Sequence, residues 1–273
     1  MLQCPDVDGI LLVDKPQGKT SHDVVLEVRR ARGEPRVGHA GTLDPAATGL
    51  LVLALGRGLK LLEFMAYDKT YEFEVRLGQL TDTDDAEGAL LREVPVPSRE
   101  ELESAAARMV GEILQRPPRY SAVKVGGRRM YARARAGEMV EAPPRPVVVH
   151  SLELLGWDPP RARFRLRGSK GVYVRSVARD LGGHVVALRR IACGPFRVEQ
   201  AGPELLPIDR AVVHLPEVRL EGESEVRRFR NGGAVEAALP AFEPGPARVY
   251  GEGRFLGIGE VREGVLRPRK VVG

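Results

Sequence analysis

Cysteine is almost missing from this chain of 273 residues: Cys4 and Cys193 are the whole supply. Two thiols so far apart make no metal-ligand spacing and suit free thiols in a reducing compartment. Long apolar runs are missing too. The longest, Leu50–Leu55, falls far short of the ~20 residues a membrane helix needs. The opening MLQCPDVDG lacks a basic stretch followed by an apolar one, so no secretory leader is read and a cytoplasmic protein is expected. No HExxH, paired CxxC or His/Cys cluster occurs, which sets metal hydrolases aside and predicts no metal ligands. Neither GxGxxG after a strand nor a P-loop is present, so no nucleotide cofactor is expected. A GxSxG elbow is absent, which removes one class of serine hydrolase. The acidic TDTDDAEG at 81–88 fails as a calcium loop, because Ala86 stands where the third oxygen ligand belongs and Glu87 where the obligatory glycine belongs.

What is present points to a polyanion. Hydrophobic residues make up 43% of the chain, enough for a core, while net charge is +5. Of 42 basic residues 35 are arginine, the side chain suited to bidentate phosphate contacts, although a GC-rich genome biases usage the same way. Residues 116–137, RPPRYSAVKVGGRRMYARARAG, carry seven basic side chains, no acidic one, and Tyr120 and Tyr131. Basic charge interleaved with aromatics fits a nucleic-acid-binding insertion, and the plain alternative is a solvated basic hairpin. A second basic face on 161–167 favours the first reading.

Periodicity supplies the fold class. GILLV (9–13) reads as a buried strand ending at the turn DKPQGKTS, and Thr20 or Ser21 is placed to cap a helix over about 22–32 that Gly33 stops. LLVLALG (50–56) is a second buried strand, and LKLLEFM (59–65) predicts a helix. KTYEFEVRLG (69–78) alternates, with Tyr71, Phe73, Val75 and Leu77 on one face. Ser98 and Glu101 stand at capping-box spacing before a helix over roughly 99–110. RYSAVKV (119–125) and RPVVVHSLELLGW (145–157) read as strands, and RARFRLRG (161–168) puts four arginines opposite Ala162, Phe164 and Leu166. Together these predict an α+β fold with a mostly antiparallel, mixed sheet. PIDRAVVHLP (207–216) marks a boundary, after which short Gly-punctuated strands predict a small β-barrel-like module that packs on the first domain. The domains expected are 1–212, with a thumb-like basic insertion at about 116–146, and 213–273.

One stretch asks for a special explanation. GHAGTLDPAATG (38–49) sets a single carboxylate, Asp44, between Leu43 and Pro45 among glycines, alanines and threonines. A surface turn has no use for the leucine or the run of small residues. A ligand backbone that approaches closely does.

These stretches, in chain order, resemble the TruB family of tRNA pseudouridine synthases over nearly the whole chain. DKPQGKTS is similar to the family's KPxGxTS turn, and GHAGTLDPAATGLL matches GHxGTLDPxATGxL at every fixed position. DKTYEFEVRLGQLTDTDDAEG and SKGVYVRSVARDLG match two further family stretches, and the C-terminal segment is similar to a PUA RNA-binding domain. The resemblance implies a pseudouridine synthase fold and the positions of the site. By it Asp44 is the catalytic aspartate, Tyr71 the active-site tyrosine, Arg175 the partner of the aspartate, and His39 the loop histidine that contacts RNA near the flipped base. Lys15, Pro16, Asp85, Tyr173 and Leu188 fall at other active-site or supporting positions, and Arg128, Arg129 and Arg133 of the basic insertion are candidate RNA contacts. Two departures stand out: Val172 replaces the usual threonine, and RDLGGHVVALRR lacks about six residues that the family usually has before the histidine.

The implied reaction detaches uracil from C1′ of the T-loop uridine at tRNA position 55, turns it, and rejoins it through C5. Nothing is oxidised or hydrolysed overall, consistent with the missing cofactor and metal motifs. Breaking the glycosidic bond builds positive charge at C1′, which a carboxylate stabilises or attacks. Attack at C1′, attack on the base and removal of a sugar proton all fit Asp44. Arg175 favours the ionised carboxylate, and Tyr71 offers a stacking face and a hydroxyl. The base must be flipped to reach such a site, and His39 is placed to fill the vacated space. The partner expected is the tRNA T-arm, with no membrane, no required protein partner and a monomeric enzyme. Alternatives are a non-catalytic RNA-binding protein, which has no need of Asp44, and a guide-RNA-dependent relative, which lacks the basic insertion. A glycoside hydrolase needs a second positioned carboxylate that no motif supplies.

Overall fold

β1 (Gly9–Lys15) and β3 (Thr48–Leu55) pair antiparallel along their whole length, Ile10 facing Ala54 and Lys15 facing Gly49. β3 is apolar on both faces because both are covered. Leu50 and Val52 pack with Ile10 and Leu12, while Leu51, Leu53 and Leu55 meet Val24 and Val25 of α1 (Ser21–Arg32). In α1 Thr20 caps the N-terminus with Asp23 completing a capping box, and Gly33 ends the helix in the left-handed region. These elements belong to a computed structural model that describes residues 7–120, 124–125, 128–130, 142–236 and 244–272.

Between them β2 (Val37–His39) adds to β3. The stretch after β3, expected as a helix over 59–65, is a 3-10 helix over Gly56–Phe64. It runs close against β1, where a Cβ on Gly58 would meet the carbonyl of Gly9 at 2.9 Å. β4 (Lys69–Leu77) buries Tyr71, Phe73, Val75 and Leu77 as its alternation predicts. β5 (Gln79–Thr81) and β6 (Leu90–Glu93) form a small hairpin, followed by α2 (Arg99–Arg108) under its Ser98–Glu101 capping box and by β7 (Gly111–Gln115). Pro117 and Pro118 follow β7, and neither can donate to a ladder. Of the strand expected over 119–125, residues 119 and 120 bend, 121–123 lie outside the described residues, and Lys124–Val125 form β8, paired with β9 (Arg128–Arg129).

β10 (Arg145–Asp158), β11 (Arg161–Gly168) and β12 (Gly183–Cys193) complete the main sheet, with α3 (Val174–Asp180) between the last two. With the two-residue strands β13 (Phe196–Arg197) and β14 (Leu205–Leu206), the sheet has ten strands in the path β14-β1-β3-β12-β4-β11-β10-β7, with β2 and β13 off it. Every pairing in it is antiparallel except β3 with β12, where Arg189 faces Thr48 and Arg190 faces Gly49. One face of β4 and β11 forms the apolar core with α3, and the other is an ion-pair surface in which Arg165 holds Glu72 at 2.7 Å. The short passage from α3 to β12 is complete in its hydrogen bonds: Gly182 donates to Arg179 O and accepts from Gly78 N. Gly183 then pairs so closely with β4 that a Cβ there would lie 2.3 Å from Arg76 O.

The C-terminal strands β15 (Glu217–Leu220), β16 (Val235–Glu236), β17 (Gly245–Gly251), β18 (Arg254–Arg262) and β19 (Val265–Val271) form a separate five-stranded sheet, with α4 (Glu223–Arg230) burying Phe229 against it. This sheet is docked on the first through side chains. Ile258 and Val272 enter the core around Ile10 and Leu50, Arg57 donates to Val272 O at 2.8 Å, and Lys270 pairs with Glu63 at 2.9 Å.

Candidate active site

The 38–49 loop leaves β2 at His39, returns as β3 at Thr48, and is pinned at almost every step between. Ala40 N donates to Val52 O at 2.9 Å, and the Ser21 hydroxyl accepts from Leu43 N at 2.8 Å while donating to Leu43 O at 3.2 Å. Leu43 itself is buried in the cluster that holds Tyr71 and Phe164, which explains why a small-residue loop keeps one bulky side chain. Pro45 O accepts from Gly18 N at 2.8 Å and from Lys15 Nζ at 3.3 Å, so the DKPQGKTS turn braces the loop from below. Gly49 has φ +101°, and a Cβ there would lie 2.3 Å from Arg190 O, so no other residue fits. Held at both ends, the loop presents Asp44 with 43% of its side chain exposed.

Opposite stands Arg175, buried, on the first turn of α3. Its Nη2 lies 3.0 Å from Asp44 Oδ2 and donates to Tyr120 O at 2.8 Å. Its Nη1 donates to Thr83 O at 3.1 Å and reaches Asp85 Oδ2 at 3.4 Å. One guanidinium therefore joins the loop aspartate to the TDTDDAEG turn, and that turn works as a bracket. Asp85 accepts from Glu87 N at 3.1 Å, Thr81 donates to Asp85 O at 2.7 Å, and Arg179 pairs with Asp84 at 3.0 Å. Tyr173 and Arg175, same-facing if extended, are divided by the helix start: Tyr173 is the residue before α3. The buried Gln115 side chain clamps the Tyr173 backbone at both its N–H (2.7 Å) and its C=O (3.1 Å), which fixes where α3 begins.

Tyr71 projects from the inner face of β4 and is buried beneath the loop. Burial pushes its hydroxyl pKa up, the nearby Arg190 charge opposing, so the phenol is neutral and protonated. Leu188, on β12 opposite Phe73, packs on the same cluster. His39 is half-buried at the loop's start and its Nδ1 accepts from Gly41 N at 3.3 Å. Burial, and then the charge of Arg190, lowers its pKa, so the imidazole is uncharged near neutrality. Val172 packs over Gly168, where a Cβ would meet it at 2.9 Å. Arg128 and Arg129 form β9, and Arg133 lies outside the described residues.

Two buried cations complete the site. Lys15, fully buried, donates to Lys19 O (2.7 Å) and Pro16 O (2.9 Å) as well as Pro45 O. Burial lowers its pKa, with Asp44 opposing. Arg190, also fully buried, was not anticipated from the sequence. It donates to Leu50 O (2.7 Å), Gly41 O (3.1 Å) and Thr42 O (3.4 Å), lacing the loop to the sheet. The signal was available: consecutive arginines on one strand face opposite ways, so one of Arg189 and Arg190 must turn inward. Arg189 is the outward one, paired with Asp14 at 2.7 Å.

The arrangement offers a part-exposed carboxylate bonded to a buried guanidinium, with a buried aromatic ring close by. Comparison with known proteins gives the family. Residues 29–174 match the model of the TruB family pseudouridylate synthase N-terminal domain, and 216–272 that of the pseudouridine synthase II TruB C-terminal domain. Proteins named tRNA pseudouridine synthase B from Aromatoleum aromaticum and Thermobifida fusca are each 44% identical to this chain, covering 97% and 96% of it and 93% and 97% of their own lengths. Among solved structures, a chain in the crystal structure of a Cbf5-Nop10-Gar1 complex superposes with TM-score 0.69 at 25% identity, over 92% of this chain and 78% of that one. With matches of this extent at both ends of the chain and across its whole length, the protein belongs to the TruB family of pseudouridylate synthases.

Proposed function

We propose that the enzyme converts the T-loop uridine at tRNA position 55 to pseudouridine, with Asp44 acting at C1′ and without metal, cofactor or guide RNA. The observation that carries this reading is the 3.0 Å bond between Asp44 Oδ2 and Arg175 Nη2, with Tyr71 buried close to Asp44. The guanidinium holds the carboxylate aimed, and its negative charge is what positive charge at C1′ calls for. The C1′–N1 bond breaks, the base turns, and a C1′–C5 bond forms. N1 gains a proton as C5 loses one, so atoms and charge balance within the nucleotide.

Tyr71 supplies the floor on which the base stacks, and its neutral hydroxyl is suited to relay the C5 proton. His39, uncharged, stacks into the space the base leaves in the RNA without adding a charge to desolvate. Asp85 orients Arg175, while Lys15, Tyr173 and Leu188 shape the site around them. Arg128, Arg129 and Arg133 contact phosphates from the 116–146 insertion, and the 213–273 domain adds RNA contacts beyond the T-arm. The enzyme acts as a cytoplasmic monomer. Curated relatives at 44% identity are named for tRNA, which favours a free-standing tRNA enzyme over assembly with protein partners of the kind in the complex above.

The test is incubation of the pure protein with a T-arm hairpin RNA and mapping of pseudouridine, with and without EDTA. Conversion at the one T-loop uridine in both is expected. Activity lost in EDTA, or appearing only with an added RNA guide or protein partner, overturns the reading.

A further inference from the structure

Tyr67, Lys69 and Lys170 meet beside the Gly41 end of the loop, away from the Asp44–Arg175 bond. The Lys69 ammonium is half-buried and reaches under the loop edge: a Cβ on Gly41 would lie 3.1 Å from its Nζ and 3.8 Å from Arg190 Nη1. Among the described residues Lys69 Nζ makes no ion pair and no hydrogen bond. Its only close partner is the Tyr67 ring, 5.6 Å away, and Lys170 Nζ sits over the same ring at 4.4 Å. Two ammonium groups thus share one aromatic ring and repel each other, with the Arg190 guanidinium adding to the repulsion.

Among the described residues no nearby acid answers this charge. Asp68, next in sequence, is engaged by His150 Nε2 at 3.0 Å and Arg167 at 3.5 Å. The Cys193 thiol is buried near Ala40 O, and burial pushes its pKa up, so it stays neutral. Burial correspondingly pulls the Lys69 pKa down. A hydrogen bond from Tyr67 OH to Leu62 O fixes the ring, so the two lysines are held in place by a rigid support. Gly41, at φ +116° and without a side chain, lets the Lys69 ammonium lie directly against the loop backbone. Three cations around a bare loop backbone, with their counter-charge missing, make a seat for an anion.

We propose that Lys69 and Lys170, with Gly41, seat one phosphodiester of the RNA backbone close to the reacting nucleotide. Gly41 lies three residues from Asp44, a span of at most about 11 Å along the chain, so the phosphate belongs to the same stretch of RNA. This rests on the RNA-modifying function proposed above and adds a specific contact to it. A seated phosphate relieves the repulsion between the lysines and sets the height of the backbone over the loop. That in turn fixes how far the flipped base descends towards Tyr71.

The experiment combines protein and RNA changes in one cycle. A T-arm hairpin is made with a neutral methylphosphonate at each linkage of the loop in turn. Its Kd is measured for the wild type, for Lys69→Gln with Lys170→Gln, and for Lys69→Arg. At one linkage the wild type should lose about tenfold in affinity, while the double variant should show that loss on unmodified RNA and no further loss there. Its salt dependence should be shallower by about one unit of slope, and Lys69→Arg should retain most of the affinity. Equal losses for wild type and double variant at every linkage, or an unchanged Kd and slope in a double variant whose melting curve is normal, overturns the seat. Pseudouridine mapping on the unmodified hairpin separates the two ideas. Conversion by the wild type without coupling sinks only the seat, and no conversion sinks the function.

Discussion

Two buried arginines flank the 38–49 loop and are satisfied in opposite ways. Arg175 meets two carboxylates, Asp44 and Asp85, besides the carbonyls of Thr83 and Tyr120, whereas Arg190 bonds the carbonyls of Gly41, Thr42 and Leu50 and the Tyr71 hydroxyl, and no carboxylate among the described residues. A guanidinium bonded to carbonyls holds chain positions and keeps its whole charge as a field under the loop. A guanidinium bonded to carboxylates shares its charge and fixes where an acid points. On the function proposed above, the first fastens the loop and the second acts on the aspartate. Their difference lies in their partners, for both are buried.

The most severe way to break the Arg175 side is Asp44→Asn, which keeps size and removes charge. Single-turnover conversion should fall by several orders of magnitude, since one transition-state charge interaction is worth roughly 3–4 kcal/mol and a lost covalent step more. The Kd for RNA should stay within a few-fold, because phosphate contacts come from other residues. Near-normal turnover in a folded variant would end the catalytic reading of the loop. Next, Arg175→Lys keeps a cation but cannot span Asp44, Thr83 and Asp85 together. Turnover should drop by about 10²-fold while the melting temperature moves little.

Arg190→Met should invert that pattern. Three carbonyls lose their donor, which costs about 2 kcal/mol net of the relief from burying a charge, and the melting temperature should fall by roughly 4–8 °C. Comparable effects on turnover and melting for both arginines would erase the distinction drawn here. Lys15, the other buried cation bonded to carbonyls, sharpens it through pH. Its folded pKa lies below the ordinary lysine value, so between the two values the unfolded chain holds more protons and stability rises with pH. The wild type should therefore gain on Lys15→Met by a degree or two of melting temperature as pH approaches about 10.5, and a gap that widens the other way contradicts the assignment.

Much of this was legible beforehand, for reasons that are local. Thr20 with Asp23 and Ser98 with Glu101 cap their helices from spacing alone, and the period-two patterns of 69–77 and 161–168 placed Tyr71 and Phe164 inward. Asp44, Tyr71 and Arg175 sit far apart in sequence, and the fold bonds Arg175 to Asp44 and buries Tyr71 near them. Arg190, Gln115 and Lys69 were not singled out because their roles come from tertiary contacts: an arginine at a strand interior looks like its exposed neighbour until the partner strand is known. The 56–64 segment had a helical pattern, but its packing against Gly9 selected the tighter 3-10 winding.

The seam between the two sheets has a practical meaning for anyone dissecting this enzyme. Ile258 and Val272 plug a core whose other walls are Ile10, Leu50 and Phe196, and Arg57 is latched to Val272. Cutting away 213–273 would therefore uncork the first sheet as well as remove a surface, and a shortened protein that fails would report a spoiled fold before a lost RNA contact. The contribution of the C-terminal sheet to RNA has to be measured with its scaffold intact, by neutralising exposed arginines such as Arg254 and Arg267 one at a time. In that sense the enzyme is a single garment with two panels, and its lining is stitched from both.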